Sequence, residues 1–431
     1  MEKKNLKKSN VQKLYEISFY FLPISLLLRE HWGSKAIILF VFLGLIASVK
    51  LLKESLFKLL KIRWYIFNLI HLFLGMLSLF YSSNWQAGIG RLSFSLLFVL
   101  FPIFQLTLFK KLGTNRISLK MLRFFSIAIY CYCILILIKL LSILMLTDST
   151  LLDIKRSYGY LNFNNIYEYT EINSMYFSML LCFALFVILD STSKFLSGWS
   201  RIVSHIVTIL VTLIMLILID SKVAYLAFIL ILILFLYTRN ISRNIKILSI
   251  GLFLGLIIST LVITPPNRIR RFIEAGDTTR VNNYVSSVEV IKNNYLFGVG
   301  YGDELDELQK TRKLADKVDN YIIKMEYNAH NQFFETIIGI GFIGFTPIFV
   351  LIIFSVMSAL KNKDVLFQSF LIVMCLFFTV ESVLVRHYGF LFCSFIWSVF
   401  LTYNIGNSQK VIDDKRSIFN RLQITNIFRS R

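Results

Sequence analysis

Apolar residues fall in long unbroken runs along this chain, and polar residues gather in the short stretches between them. A helix needs about 20 mostly apolar residues to cross the hydrocarbon core, because each backbone N–H and C=O must be satisfied within the segment. Counted that way, the pattern predicts about twelve spans. They cover residues 14–28, 35–52, 64–81, 89–109, 122–146, 174–189, 202–219, 223–237, 248–263, 333–360, 366–385 and 388–405. Only Asp220-Ser221-Lys222 separates the seventh from the eighth. The only long stretch between spans is 264–331, and a second, shorter one lies at 147–172.

Composition narrows the class. Of 431 residues, 56% are hydrophobic and only 16% charged, and mean hydropathy is +0.67. A soluble domain carries roughly 25% charged residues, so the reading is an all-α polytopic membrane protein. No linker rich in Pro, Gly or Ser divides it, so residues 1–431 read as a single membrane domain. The N-terminal basic run enters an apolar segment with no small-residue cleavage site, which reads as an uncleaved first helix.

The net charge of +21 would suggest nucleic acid in a soluble protein. Here most cations lie in alternate loops, among them Lys50, Lys53, Lys58, Lys61 and Arg63, then Lys110, Lys111, Arg116, Lys120 and Arg123. Lys and Arg are retained on the cytoplasmic side. That rule places both termini inside, and 147–172 and 264–331 on the outer face. The five cysteines all lie in apolar stretches without a CxxC spacing, so neither a zinc site nor a disulfide scaffold is expected. No DxD or other compelling carboxylate cluster marks a magnesium site on the outer face, and no cofactor is called for.

Four groups on the outer face stand out. Arg156, Lys222 and Arg280 are cations facing one compartment, and His330 lies where the long loop enters a span. Arg offers a planar fork suited to phosphate oxygens, Lys a point charge. An ordinary histidine, with a pKa of about 6.5, is mostly neutral near pH 7 and can act as a base. Around them lie a glycine-punctuated turn, Asn294-Tyr-Leu-Phe-Gly298-Val-Gly300-Tyr-Gly302, then Ala329-His330-Asn331 and Ile338-Gly-Ile-Gly341-Phe-Ile-Gly344. Tyr158, Tyr160, Tyr295 and Tyr301 are possible sugar platforms.

The order of these elements resembles the O-antigen polymerase and O-antigen ligase superfamily. An Arg opens the long outer loop, an LFGVGYG turn follows, then His-Asn, then a G-x-x-G at the start of a span. Arg156-Ser-Tyr-Gly159, followed by Asn162, Asn164 and Asn165, resembles the family's R-x-x-G stretch and its asparagine element, and Ser221-Lys222 stands where the family usually has Ser-Arg. Three departures accompany the likeness: Lys222 for Arg, Phe163 or Asn164 for a proline, and Gly339 where many members have Glu.

The resemblance implies a GT-C-like membrane fold and a metal-independent glycosyltransferase of the bacterial cell membrane. Its donor would be a polyprenyl-diphosphate-linked oligosaccharide. His330 and Arg280 would be catalytic, and Arg156, Lys222, Asn331, Gly298 and Gly300 would bind substrate or diphosphate. A flippase and a chain-length regulator would be protein partners. The favoured function is a polymerase of repeat units for capsular polysaccharide or O-antigen. A ligase that transfers glycan to a lipid A core is the alternative within the family. A lipid-linked oligosaccharide flippase is the alternative from another class, although it would place its charges around a midplane site within the spans.

Overall fold

A computed structural model of the protein describes residues 9–112, 114–147, 172–219, 221–238, 251, 278–314, 326–403 and 405. Every regular element among them is helical. In chain order they are α1 (Asn10–Ile24), α2 (Glu30–Leu59), α3 (Arg63–Ser78), α4 (Trp85–Leu112), α5 (Thr114–Thr147), α6 (Ser174–Phe195), α7 (Gly198–Ile219) and α8 (Lys222–Thr238). Then follow α9 (Thr278–Asn293), α10 (Glu304–Leu314), α11 (Gln332–Lys361), α12 (Val365–Phe378) and α13 (His387–Tyr403). Six of these are long and apolar enough to cross a membrane, and α8, α12 and α13 are shorter apolar helices. The end of α2 and α3 form a pair bent by 94°.

The apolar helices match the periodicity closely: α7 ends at Ile219 and α8 begins at Lys222, on either side of the break that the polar tripeptide suggested. The predicted ninth span, 248–263, lies outside the described residues apart from Gly251. The bundle packs around α13, which is apolar on all sides and buried without interruption from 388 to 402. Its Phe395 meets Phe19 of α1, Phe390 and Trp397 meet Phe98 of α4, and Phe392 meets Phe183 of α6. Two polar locks fix its register: Gln105 donates to the Phe395 carbonyl, and Trp397 Nε1 donates to Ser355 Oγ of α11 at 2.7 Å. Satisfying such groups matters here, because no water is available to them inside an apolar bundle.

α11 determines the geometry of one end of the bundle. Ile340 and Gly341 are non-helical, with Gly341 at φ +65°, so Phe342 and Ile343 cannot bond back to the carbonyls of Ile338 and Gly339. The glycine turn inserts at that gap. Phe342 N–H donates to Tyr295 O at 2.8 Å and Ile343 N–H to Leu296 O, while Val299 and Gly300 N–H donate to Ile338 O and Gly339 O at 2.8 and 2.9 Å. All four groups freed by the break are thereby paired with the strap 295–300. The sequence pattern suggested glycines opening a helix; they instead sit at a break inside one, because the strap needs backbone-to-backbone approach.

A Cβ at Gly341 would lie 2.1 Å from the Leu296 carbonyl oxygen, and its left-handed backbone would add a strain of about 1–3 kcal/mol. Gly341→Ala is expected to lower the thermal unfolding midpoint of the purified protein sharply or abolish folded yield. Gly90→Ala, in α4 with open space around its Cβ, is expected to stabilise by roughly 0.5–1 kcal/mol.

Candidate active site

The strap delivers its far end to α3 and α4. Tyr301 N–H donates to Ser78 Oγ, and the Asp303 carboxylate accepts from Ser83 N–H and Asn84 N–H, both at 2.7 Å, which caps the start of α4. Glu304 is thus placed against Arg91, in the second turn of α4. The Arg91 guanidinium lies 3.8 Å from Glu304 and 2.6 Å from Glu335 of α11. Both carboxylates are almost fully buried. Burial pushes the Glu304 carboxyl above its ordinary range, and Arg91 opposes that shift. Beside this triad, Tyr301 OH meets His71 Nε2, whose other ring nitrogen faces the Gly344 carbonyl. A cavity of about 30 Å³ opens between them, lined by His71, Arg91, Tyr301, Glu304, Gln332 and Glu335 among others. It has room for about two waters.

Above the triad lies the turn that carries His330. Arg312 of α10, fully buried, donates to the carbonyls of Tyr327 and Asn328 and to Asn283 Oδ1 of α9. Burial lowers its guanidinium to about 10, which still leaves it charged near neutral pH. Asn331 caps α11, with Oδ1 accepting from Phe333 and Phe334 N–H and Nδ2 donating to Thr379 O. The same Thr379 carbonyl accepts from Tyr284 OH of α9. His330 is held between these fixed neighbours at φ +47°, a left-handed conformation that costs a side-chain-bearing residue on the order of 1 kcal/mol. Its N–H donates to Asn328 Oδ1, and its Nδ1 lies 3.2 Å from Glu381 Oε2. Both side chains are partly open, at 27% and 13%.

Among the candidate residues, the structure joins His330 and Asn331 in this turn. Gly298 and Gly300 belong to the strap, where their N–H groups donate to Asn294 O and Gly339 O. Arg280 lies in the first turn of α9, one turn before Tyr284. Lys222 opens α8 as an exposed residue, and the neighbouring Ser221 packs by its hydroxyl on Met175. Arg156, Tyr158 and Tyr160 lie outside the described residues. Tyr295 is exposed, whereas Tyr301 is buried and engaged with His71 rather than presented as a sugar platform. The motifs did not reveal Arg91, Glu304 or Glu381, whose partners stand far away in the sequence.

Residues 207–349 match the model of the family described as O-antigen ligase. The matched stretch lies in the central part of the chain. The match takes in Lys222, Arg280, the glycine strap, His330, Asn331 and the break in α11, and so supports the likeness to the O-antigen polymerase and ligase superfamily. Arg91, Glu381 and Ser382 fall outside it. No curated protein matches the chain.

Replacing Arg91 with Met would leave Glu304 and Glu335 buried without their cation, at a cost of about 3–5 kcal/mol. Glu304, whose folded pKa is raised, contributes stability below its ordinary range and loses it as pH rises through the folded value. The thermal midpoint of Arg91→Met should therefore recover on acidification from about pH 8 to about pH 5, and that of the wild-type protein should recover less.

Proposed function

We propose that this protein is a glycosyltransferase that polymerises polyprenyl-diphosphate-linked oligosaccharide repeat units at the outer face of a bacterial cell membrane. In that setting the chain makes about twelve spans, with both termini in the cytoplasm. The observation that carries the reading is the His330–Glu381 pair, 3.2 Å apart and partly open at one end of an apolar bundle. A sugar hydroxyl is a weak nucleophile until a base takes its proton in the transition state. With its Nδ1 proton donated to Glu381, the imidazole presents Nε2 as that base, and the carboxylate stabilises the imidazolium that forms.

The bond changes balance. The acceptor hydroxyl gives its proton to His330 Nε2, and its oxygen bonds to the anomeric carbon of the donor glycan. The bond from that carbon to the diphosphate breaks, and the diphosphate leaves with the electron pair. Negative charge grows on the leaving group, where preorganised cations lower the barrier most. Arg280, Arg156 and Lys222 take that role, in place of a metal ion. Asn331 fixes the turn that carries the base, and Gly298 and Gly300 let the strap pin the loop to α11.

The family's description as O-antigen ligase favours a second reading, in which the same chemistry transfers the glycan to a lipid A core sugar. The two differ only in the acceptor, so deletion of the protein followed by sizing of the surface glycan separates them. A polymerase deletion leaves a single repeat unit on the surface. A ligase deletion leaves full-length glycan on the lipid carrier, and a flippase deletion leaves repeat units inside the membrane.

Complementation of the deletion tests the site. His330→Ala and His330→Gln should both lose polymer formation at normal membrane levels, by roughly 10²–10⁴-fold in rate. Wild-type polymer from His330→Ala would refute the assignment of the base. Glu381→Gln should fall in the same direction, because the amide cannot stabilise the imidazolium.

A further inference from the structure

The two halves of the His330–Glu381 pair come from turns far apart in the sequence, yet they share one anchor. Glu335, one helical turn into α11 and only 3% exposed, uses Oε1 to receive Arg91 Nη2 at 2.6 Å. Its Oε2 accepts two further hydrogen bonds, from Ala329 N–H at 3.0 Å and from Ser382 Oγ at 3.2 Å. Ala329 is the residue before His330, and Ser382 is the residue after Glu381. Ser382 is fully buried, and its N–H donates to Glu381 Oε1 at 3.2 Å. Glu381 therefore has one oxygen fixed by Ser382 and the other directed at His330.

We propose that Glu335, held by Arg91, is the positioning residue for the His330–Glu381 pair, with Ser382 as its link to Glu381. A single carboxylate oxygen sets the spacing of both turns, so the distance from Nδ1 to Oε2 is fixed by a group that touches neither substrate. Charge matters to this role. A carboxylate acceptor makes hydrogen bonds shorter and stronger than a neutral one, and the Arg91 guanidinium holds Glu335 Oε1 at 2.6 Å. The inference rests on the reading of His330 as the base.

The test uses full-chain protein in lipid vesicles and lipid-linked repeat units extracted from membranes of the deletion strain. Ser382→Ala should lower kcat roughly tenfold, the value of one hydrogen bond, with KM for the lipid-linked donor within about twofold of wild type. Ser382→Thr, which keeps the hydroxyl, should restore kcat. In a Glu381→Gln background, Ser382→Ala should cost nothing further, because the link then has no carboxylate to orient.

An equal loss in both backgrounds, or a rise in KM with kcat unchanged, would overturn the proposal, since either result places Ser382 outside the positioning of the pair. If Ser382→Ala gives no folded protein, Ser382→Cys replaces it, with the same order of effects expected. His330→Ala in the same vesicles separates the two levels. Loss of activity there together with a wild-type Ser382→Ala overturns the positioning role alone. Full activity of His330→Ala overturns both.

Discussion

Two hydrogen bonds that α11 does not make with itself organise this end of the molecule. Without them, the carbonyls of Ile338 and Gly339 and the N–H groups of Phe342 and Ile343 would be left unpaired inside an apolar bundle, at a cost of several kcal/mol for each group. The strap 295–300 supplies all four partners. The long loop is thereby pinned to a helix, and the chain downstream of the strap has little freedom. Gly302 closes against Asn84, Asp303 caps α4, and Glu304 arrives beside Arg91.

From there the order passes through buried charge. Arg91, Glu304 and Glu335 come from α4, α10 and α11, and taking such groups out of water is costly unless each is paired. Pairing therefore selects one arrangement of these three helices against alternatives that leave a charge alone. Glu335 transmits that arrangement to the turns on either side of it, and Arg312 braces the carbonyls of Tyr327 and Asn328 from the other direction. His330 can adopt a left-handed backbone because its neighbours leave it no other choice. The candidate base is rigid because of interactions made beneath it.

Much of this was legible in the sequence, and what was not has a physical reason. The helices follow from the length of the apolar runs, and the separation of α7 from α8 follows from three polar residues. His330 and Asn331 stand out by motif. Arg91 does not, because a lone arginine at the edge of an apolar run looks like an interfacial anchor; its partner Glu335 is 244 residues away. Glu381 stands close to Arg386 in the sequence, and only the fold turns it toward His330. Gly341 and Gly344 were visible as a G-x-x-G pattern, but a helix broken in order to accept a strap requires the strap to be seen. Tyr301 shows the converse, an aromatic residue that looked like a surface platform and is a buried partner of His71.

The stretch that matches the O-antigen ligase family, 207–349, holds the candidate base and the strap, while Arg91, Glu381 and Ser382 come from parts of the chain before and after it. The candidate site is thus completed by parts of the chain beyond the matched stretch. Its acceptor and its need for a metal are best judged with the isolated protein. The most direct measurement incubates the purified full chain in vesicles with lipid-linked repeat units alone and separates the products by length. A ladder of longer lipid-linked glycans, with one free polyprenyl diphosphate released per linkage and formed equally well in chelator, is the predicted result. Repeat units recovered unchanged, or extended only when a lipid A core acceptor or a divalent metal is added, would contradict it.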